Sequence, residues 1–264
     1  MFPASLLLVL TVHSPSDTIR LEVGAREVDG RVYAPHAARV RVRVGPGEGR
    51  LRAEWTNVLT LGDSAGRRVM RWVTTGTQVT AAGDTVTWEL RQTYDARTLA
   101  PYGIARTSST GAMSSLQVDG RRIRGTRRVN RAAPVEPVAY EIDRPGFVAS
   151  ASDLVPAAVG FKPGLVLIAP IWGPPMAASE LHVFTVLGQA EVNVEGSRVQ
   201  AWKVEERKYE DNKLLATWWL LDKSPYMVYG ETVLPDGTIQ RMTEVEVPAV
   251  KPTRPGAPPA DQLE

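Results

Sequence analysis

The chain is predicted to be all-β with one short helix, an antiparallel meander forming a half-closed β-barrel. Three observations predict this class. Apolar and polar residues alternate in short runs along most of the 264 residues, the signature of strands with one buried face. Turn-forming residues (Gly, Pro, Asp, Asn) recur about every 8–12 residues, the spacing of a sandwich or barrel. No long segment repeats its apolar residues at the helical period.

The first run, Leu6-Leu7-Leu8-Val9-Leu10-Thr11-Val12, has the length of a signal-peptide core and is far too short for a membrane span. No Lys or Arg precedes it and no Ala-x-Ala follows, so a buried first strand is the alternative reading. Residues 1–16 are taken as a signal peptide and 17–249 as a single barrel-like domain. Residues 250–264, rich in Pro, Gly and Ala without periodicity, are taken as a disordered tail.

Within the domain, 18–23 and 40–44 are the first short strands. Val40, Val42 and Val44 alternate with Arg39, Arg41 and Arg43, giving one apolar and one cationic face. The glycines of 45–49 lack the Lys-Ser/Thr of a phosphate loop, and no helix pattern follows them, so they read as a hairpin turn. Strands over 51–61 and 67–75 flank a loop at 62–66. Residues 85–94 alternate most cleanly, with Val86, Trp88, Leu90 and Tyr94 on one face. Strands over 102–108, 112–118 and 121–129 follow, the last two joined by Asp119-Gly120, a type I′ hairpin signal. Ser152 or Asp153 is placed to cap a short helix that ends by Gly160. Beyond it, Pro170-Ile171-Trp172-Gly173-Pro174-Pro175-Met176 reads as a rigid apolar rim.

The meander over 183–247 organises the rest. Its centre, Leu214 to Leu221, places Trp218 and Trp219 on opposite faces of one strand, and both faces are apolar. A sheet with one wet face does not need this. Either another part of the chain covers the second face or that face lines a ligand cleft. From Val199-Gln200-Ala201-Trp202-Lys203-Val204-Glu205, through the Trp-rich strand ending Leu221-Asp222-Lys223, to Pro235-Asp236-Gly237, the order of motifs resembles the DUF3108-like exported bacterial proteins. It is similar in plan to the half-closed barrels of lipoprotein carriers (the LolA/LolB-like fold). Asp95-x-x-Thr98-Leu99-x-Pro101 suits the same group. The resemblance covers roughly 69–247 and implies a fold and an exported, periplasmic or secreted location. It implies no catalytic residues.

Chemistry-bearing motifs are sparse. The formal net charge is +2 with no cysteine, which excludes disulfides, thiolate nucleophiles and Cys-ligated zinc. His13, His36 and His182 have no second histidine at metal-ligand spacing, and neither His-Glu-x-x-His nor Gly-x-Ser-x-Gly occurs. An enzyme, a metal and a cofactor are therefore not expected. Glu205-Glu206 and Glu210-Asp211 read as structural or solvated carboxylates. The arginines of 121–131 read as a solvated face; with no aromatic residue interleaved for base stacking, nucleic acid is not expected as a partner. The expected function is binding of an apolar or lipid-like ligand at the cell envelope, through Trp88, Trp172, Met176, Trp202, Trp218 and Tyr226. The rival is a filled barrel that docks an envelope protein.

Overall fold

The computed structural model describes residues 17–224 and 226–245; the expected signal peptide and tail lie outside the described residues. A short strand β1 (Thr18–Arg20) precedes an eight-strand antiparallel meander. Its members are β2 (His36–Val44), β3 (Arg50–Ser64), β4 (Arg67–Val79), β5 (Thr85–Asp95), β6 (Pro101–Ser108), β7 (Met113–Asp119), β8 (Arg122–Arg128) and β9 (Glu136–Glu141). After β10 (Phe147–Val148) and the helix α1 (Leu154–Val159) comes a second meander. It comprises β11 (Val166–Trp172), β12 (Glu180–Val194), β13 (Ser197–Lys208), β14 (Leu214–Leu220), β15 (Met227–Val233) and β16 (Ile239–Val245).

Pairing of β16 with β2 joins the two meanders into one sixteen-stranded sheet, with β1 and β10 both parallel to β11 at one edge. Among the described residues the sheet does not close: β9, at the other edge, pairs only with β8. The seam is crossed by loop contacts instead of a ladder. Asp143 donates its N–H to the Ala177 carbonyl at 3.2 Å, Ser179 N–H reaches Asp143 Oδ1 at 2.8 Å, and Ser179 Oγ donates to the Arg144 carbonyl at 2.9 Å. The half-closed meander with one short helix is the expected class.

Alternation sets the inner face. In β2, Val40 and Val42 are buried while Arg39 and Arg41 turn outward to Glu54 and Glu195. In β5, Gln92 and Tyr94 are buried beside Trp88 and Leu90, with Thr87 and Arg91 exposed. Helix α1 buries Leu154, Val155, Ala157 and Ala158 and is held by Tyr33, whose hydroxyl donates to the Leu154 carbonyl. It ends at Gly160, whose φ of 94° is one that only glycine adopts at little cost.

Several expectations need correction. The loop at 62–66 is a two-residue turn, Ala65-Gly66, both left-handed (φ 49° and 74°). The hairpin after β7 turns on Gly120-Arg121 with only Gly120 left-handed (φ 57°), so it is not the I′ turn predicted. Neither Ser152 nor Asp153 caps α1: Asp153 is itself helical and makes no cap bond, and the Ser152 hydroxyl goes to Glu206. Trp172 is no rim; β11 runs through Pro170 to Trp172, which is completely buried.

Candidate interior groove

Three cavities lie in succession along the inner face of the sheet. The first, the inner chamber, about 410 Å³, is walled by Trp55 of β3, Trp72 of β4, Trp88 of β5 and Trp218 of β14. The second, about 440 Å³, shares Trp88, Leu90, Ala149 and Ser150 with the first. The third, about 570 Å³, shares Arg106, Ser114 and Pro174 with the second. Shared wall residues place them side by side along one inner groove, bordered by the strands, by the segment before α1 and by the Gly173–Pro175 turn. Each chamber falls in the range of small-molecule sites, roughly 300–1,000 Å³.

The inner end is built around one carboxyl group. Glu206 is 3 % exposed because it shares strand parity with buried Val204, whereas Glu205 points outward to Arg207 at 2.9 Å. Three donors converge on Glu206. Trp218 Nε1 reaches Oε2 at 2.8 Å, Ser152 Oγ donates to Oε2 at 3.2 Å, and His182 Nδ1 lies 2.6 Å from Oε1. A carboxylate opposite it places the imidazole proton on Nδ1. Three donors are what a buried carboxyl needs to offset its lost hydration.

Asp153 lines the same chamber. It keeps some exposed surface, yet protein crowds its carboxyl, and that burial pushes it up to about 7, with the charge of Glu206 adding to the effect. On β16, Glu244 is 7 % exposed and shares the inward face of Gln240 and Met242. Burial pushes it up to about 9, and Asp153 raises it further. Two further polar atoms of the chamber wall, Trp88 Nε1 and Thr232 Oγ1, are buried with no hydrogen-bond partner among the described residues. The third chamber has the opposite character. Arg106 and Arg127 line it with Tyr140, whose buried hydroxyl is likewise unpartnered. Arg127 is paired with Glu136 at 3.1 Å; Arg106 makes no ion pair among the described residues.

Of the six residues expected to bind ligand, Trp88 and Trp218 line the inner chamber. Trp172 is packed in the core with its indole donating to the Met176 carbonyl at 2.7 Å, and the Met176 side chain is exposed. Trp202 stacks on Phe161, centroids 5.5 Å apart, outside the three chambers. Tyr226 is buried, its hydroxyl accepting from Ala34 N–H at 2.6 Å and donating to the Val32 carbonyl at 3.1 Å. The outer face of the Trp pair is covered at Trp219 by Tyr229 and the Lys203 ammonium. Sequence reasoning missed Trp55, Trp72, Asp153 and Glu206 as wall residues and left His182 without a role. The available signal was strand parity, since Val204 inward implies Glu206 inward.

No family model matches the chain, and no curated protein matches it either. Among solved structures it is similar to a β-barrel-like protein of a domain of unknown function, DUF1849, from Brucella abortus. The two are 11 % identical with a TM-score of 0.47, and the match covers 80 % of this chain and 96 % of that one. The fold description therefore stands on the strands themselves. Among the described residues no cluster of three His, Asp or Glu is placed to hold a metal ion, and no helix is long and apolar enough to cross a membrane.

Proposed function

We propose that the protein is a non-enzymatic, exported envelope protein that binds an apolar, lipid-like ligand along the inner groove, in the manner of the lipoprotein-carrier plan it resembles. The observation that carries this reading is the run of three adjacent cavities, the first two sharing Trp88 and the last two sharing Arg106 as wall residues. A filled barrel would bring side chains into those volumes, because protein interiors close to crystal-like density. The largely apolar walls with a few placed polar groups are the make-up of a ligand site. Export is read from the apolar run at 6–12. A binding role is favoured over Ser–His–acid catalysis because Ser152 donates to Glu206 and not to the His182 imidazole.

The test is mass spectrometry of small molecules extracted from folded protein that has been purified without detergent. A stoichiometric apolar molecule supports the reading. An empty protein that also fails to bind a hydrophobic fluorophore removes it. A second reading, docking of an envelope protein, draws on the open edge of β9 and on exposed Val129 and Val135 beside it. Unpaired edge strands recruit other chains. Substitution of an outward backbone donor of β9 by proline, with loss of a pulled-down envelope partner, would favour it.

A further inference from the structure

The inner chamber has a composition unlike the rest of the groove. Its walls carry four indole rings, the carboxyl groups of Asp153 and Glu206 and, among the described residues, no Lys or Arg, although the chain contains 31 of them. His182, the one basic side chain there, is engaged by Glu206 at 2.6 Å. Glu244, 7 % exposed, is on the inward face of β16 with the chamber residues Gln240 and Met242 and feels the charge of Asp153. Burial, with the charge of Glu206 acting on Asp153 and that of Asp153 on Glu244, makes both carboxyls hold their protons more tightly than free ones do. A positive charge brought among them favours their ionised forms and is attracted by them in return.

The rings supply the second half of the argument. Trp55 and Trp88 meet edge to face, centroids 5.8 Å apart; Trp72 lies on β4, the strand between theirs, and Trp218 on β14 lines the same space from another wall. Indole faces attract organic cations, most strongly where water is excluded, and cages of such rings recognise quaternary and methylated ammonium groups. The buried indole N–H of Trp88 has no acceptor among the described residues. Trp88 borders both the first and the second chamber, so its ring is placed to touch a head group in one and an apolar body in the other.

We infer that the inner chamber takes the organic ammonium head of an amphiphilic ligand, held between the indoles and the Asp153–Glu206 carboxyls, with its apolar body lying past Trp88 towards Arg106. This rests on the groove being a ligand site. It adds to that reading the sign and chemical class of the head group.

The experiment titrates the full chain, below micelle concentrations, with three ten-carbon probes: decyltrimethylammonium, decanol and decanoate. Tryptophan fluorescence and calorimetry are read together. The expected result is that the ammonium binds at least tenfold more tightly than either of the others, and that Asp153→Asn erases most of that preference while near-UV circular dichroism is kept. Because Asp153→Asn could perturb the fold, the wild-type ranking of the three probes decides on its own. Equal binding of decanol and the ammonium overturns the inference and leaves the apolar groove standing. Tightest binding of decanoate also overturns it, and assigns the head group to the Arg106 end. Absence of all binding overturns both readings.

Discussion

His182 Nδ1 and Glu206 Oε1 lie 2.6 Å apart on neighbouring strands of the second meander, and this contact ties the wall of the inner chamber to its polar floor. Glu206 also takes the indole of Trp218 and the hydroxyl of Ser152, so one carboxyl fixes a strand, a ring and the segment leading into α1. Replacing it with alanine leaves three buried donors without an acceptor. Each such loss costs on the order of 1–3 kcal/mol, so Glu206→Ala is expected to lower the unfolding free energy by about 3 kcal/mol or more in urea titrations. Glu206→Gln, which keeps an acceptor oxygen, is expected to lose less than half of that.

Stability is expected to fall as pH rises through the neutral range, on account of Asp153 and Glu244. Burial raises Asp153 from 3.8 to about 7 and Glu244 from 4.5 to about 9. Between each pair of values the native chain holds a proton that the unfolded chain has released. The native state then binds more protons, and the slope of stability against pH is negative. The share of Asp153 is lost between about pH 4 and 7, and that of Glu244 continues to about 9. Urea midpoints at pH 5, 7 and 9 check this. Asp153→Asn should flatten the lower part of the curve and Glu244→Gln the upper, and unchanged curves in both would contradict it.

Gly230 is the residue on β15 that lets Trp218 lie across the sheet. A Cβ there would stand 2.7 Å from Trp218 Cε3 and Cζ3. Gly230→Ala must displace the ring and with it the Trp218–Glu206 bond. Overpacking of this kind costs about 1–3 kcal/mol. Thermal melts should show the loss, and the displaced ring should weaken ligand binding in the inner chamber.

Trp202 provides the contrast. It stacks on Phe161 outside the chambers, so Trp202→Phe is expected to leave probe affinity within about twofold of wild type, whereas Trp88→Ala weakens it at least tenfold. Similar effects of the two substitutions would contradict the placement of the groove.

The fold was legible because its strands are short, one-sided and separated by turn residues. Val40, Val42 and Val44 against Arg39, Arg41 and Arg43 settle their own orientation, as Trp88 and Leu90 do in β5. The site was less legible for a physical reason. Trp172 and Trp88 are equally apolar as residues, and what separates a core ring from a wall ring is which strands lie across from it. That depends on the β16–β2 pairing, between residues about 200 positions apart, about which local patterning is silent. Asp153 reads as a helix cap because caps are where aspartates before helices belong. Only the tertiary position of α1, fixed by Tyr33, turns it into the chamber. Glu206 was within reach, since its parity with Val204 marks it as inward.

The most direct measurement is titration of a hydrophobic fluorophore into wild-type protein and Leu90→Trp. Leu90 borders both the first and second chambers and makes no side-chain hydrogen bond, so the larger ring blocks the groove while leaving the Glu206 contacts in place. The groove reading predicts saturable binding to the wild type and its loss, at least tenfold in Kd, in a variant whose circular dichroism and cooperative melt are retained. Equal binding by the two folded proteins would show that apolar molecules bind elsewhere and would contradict it.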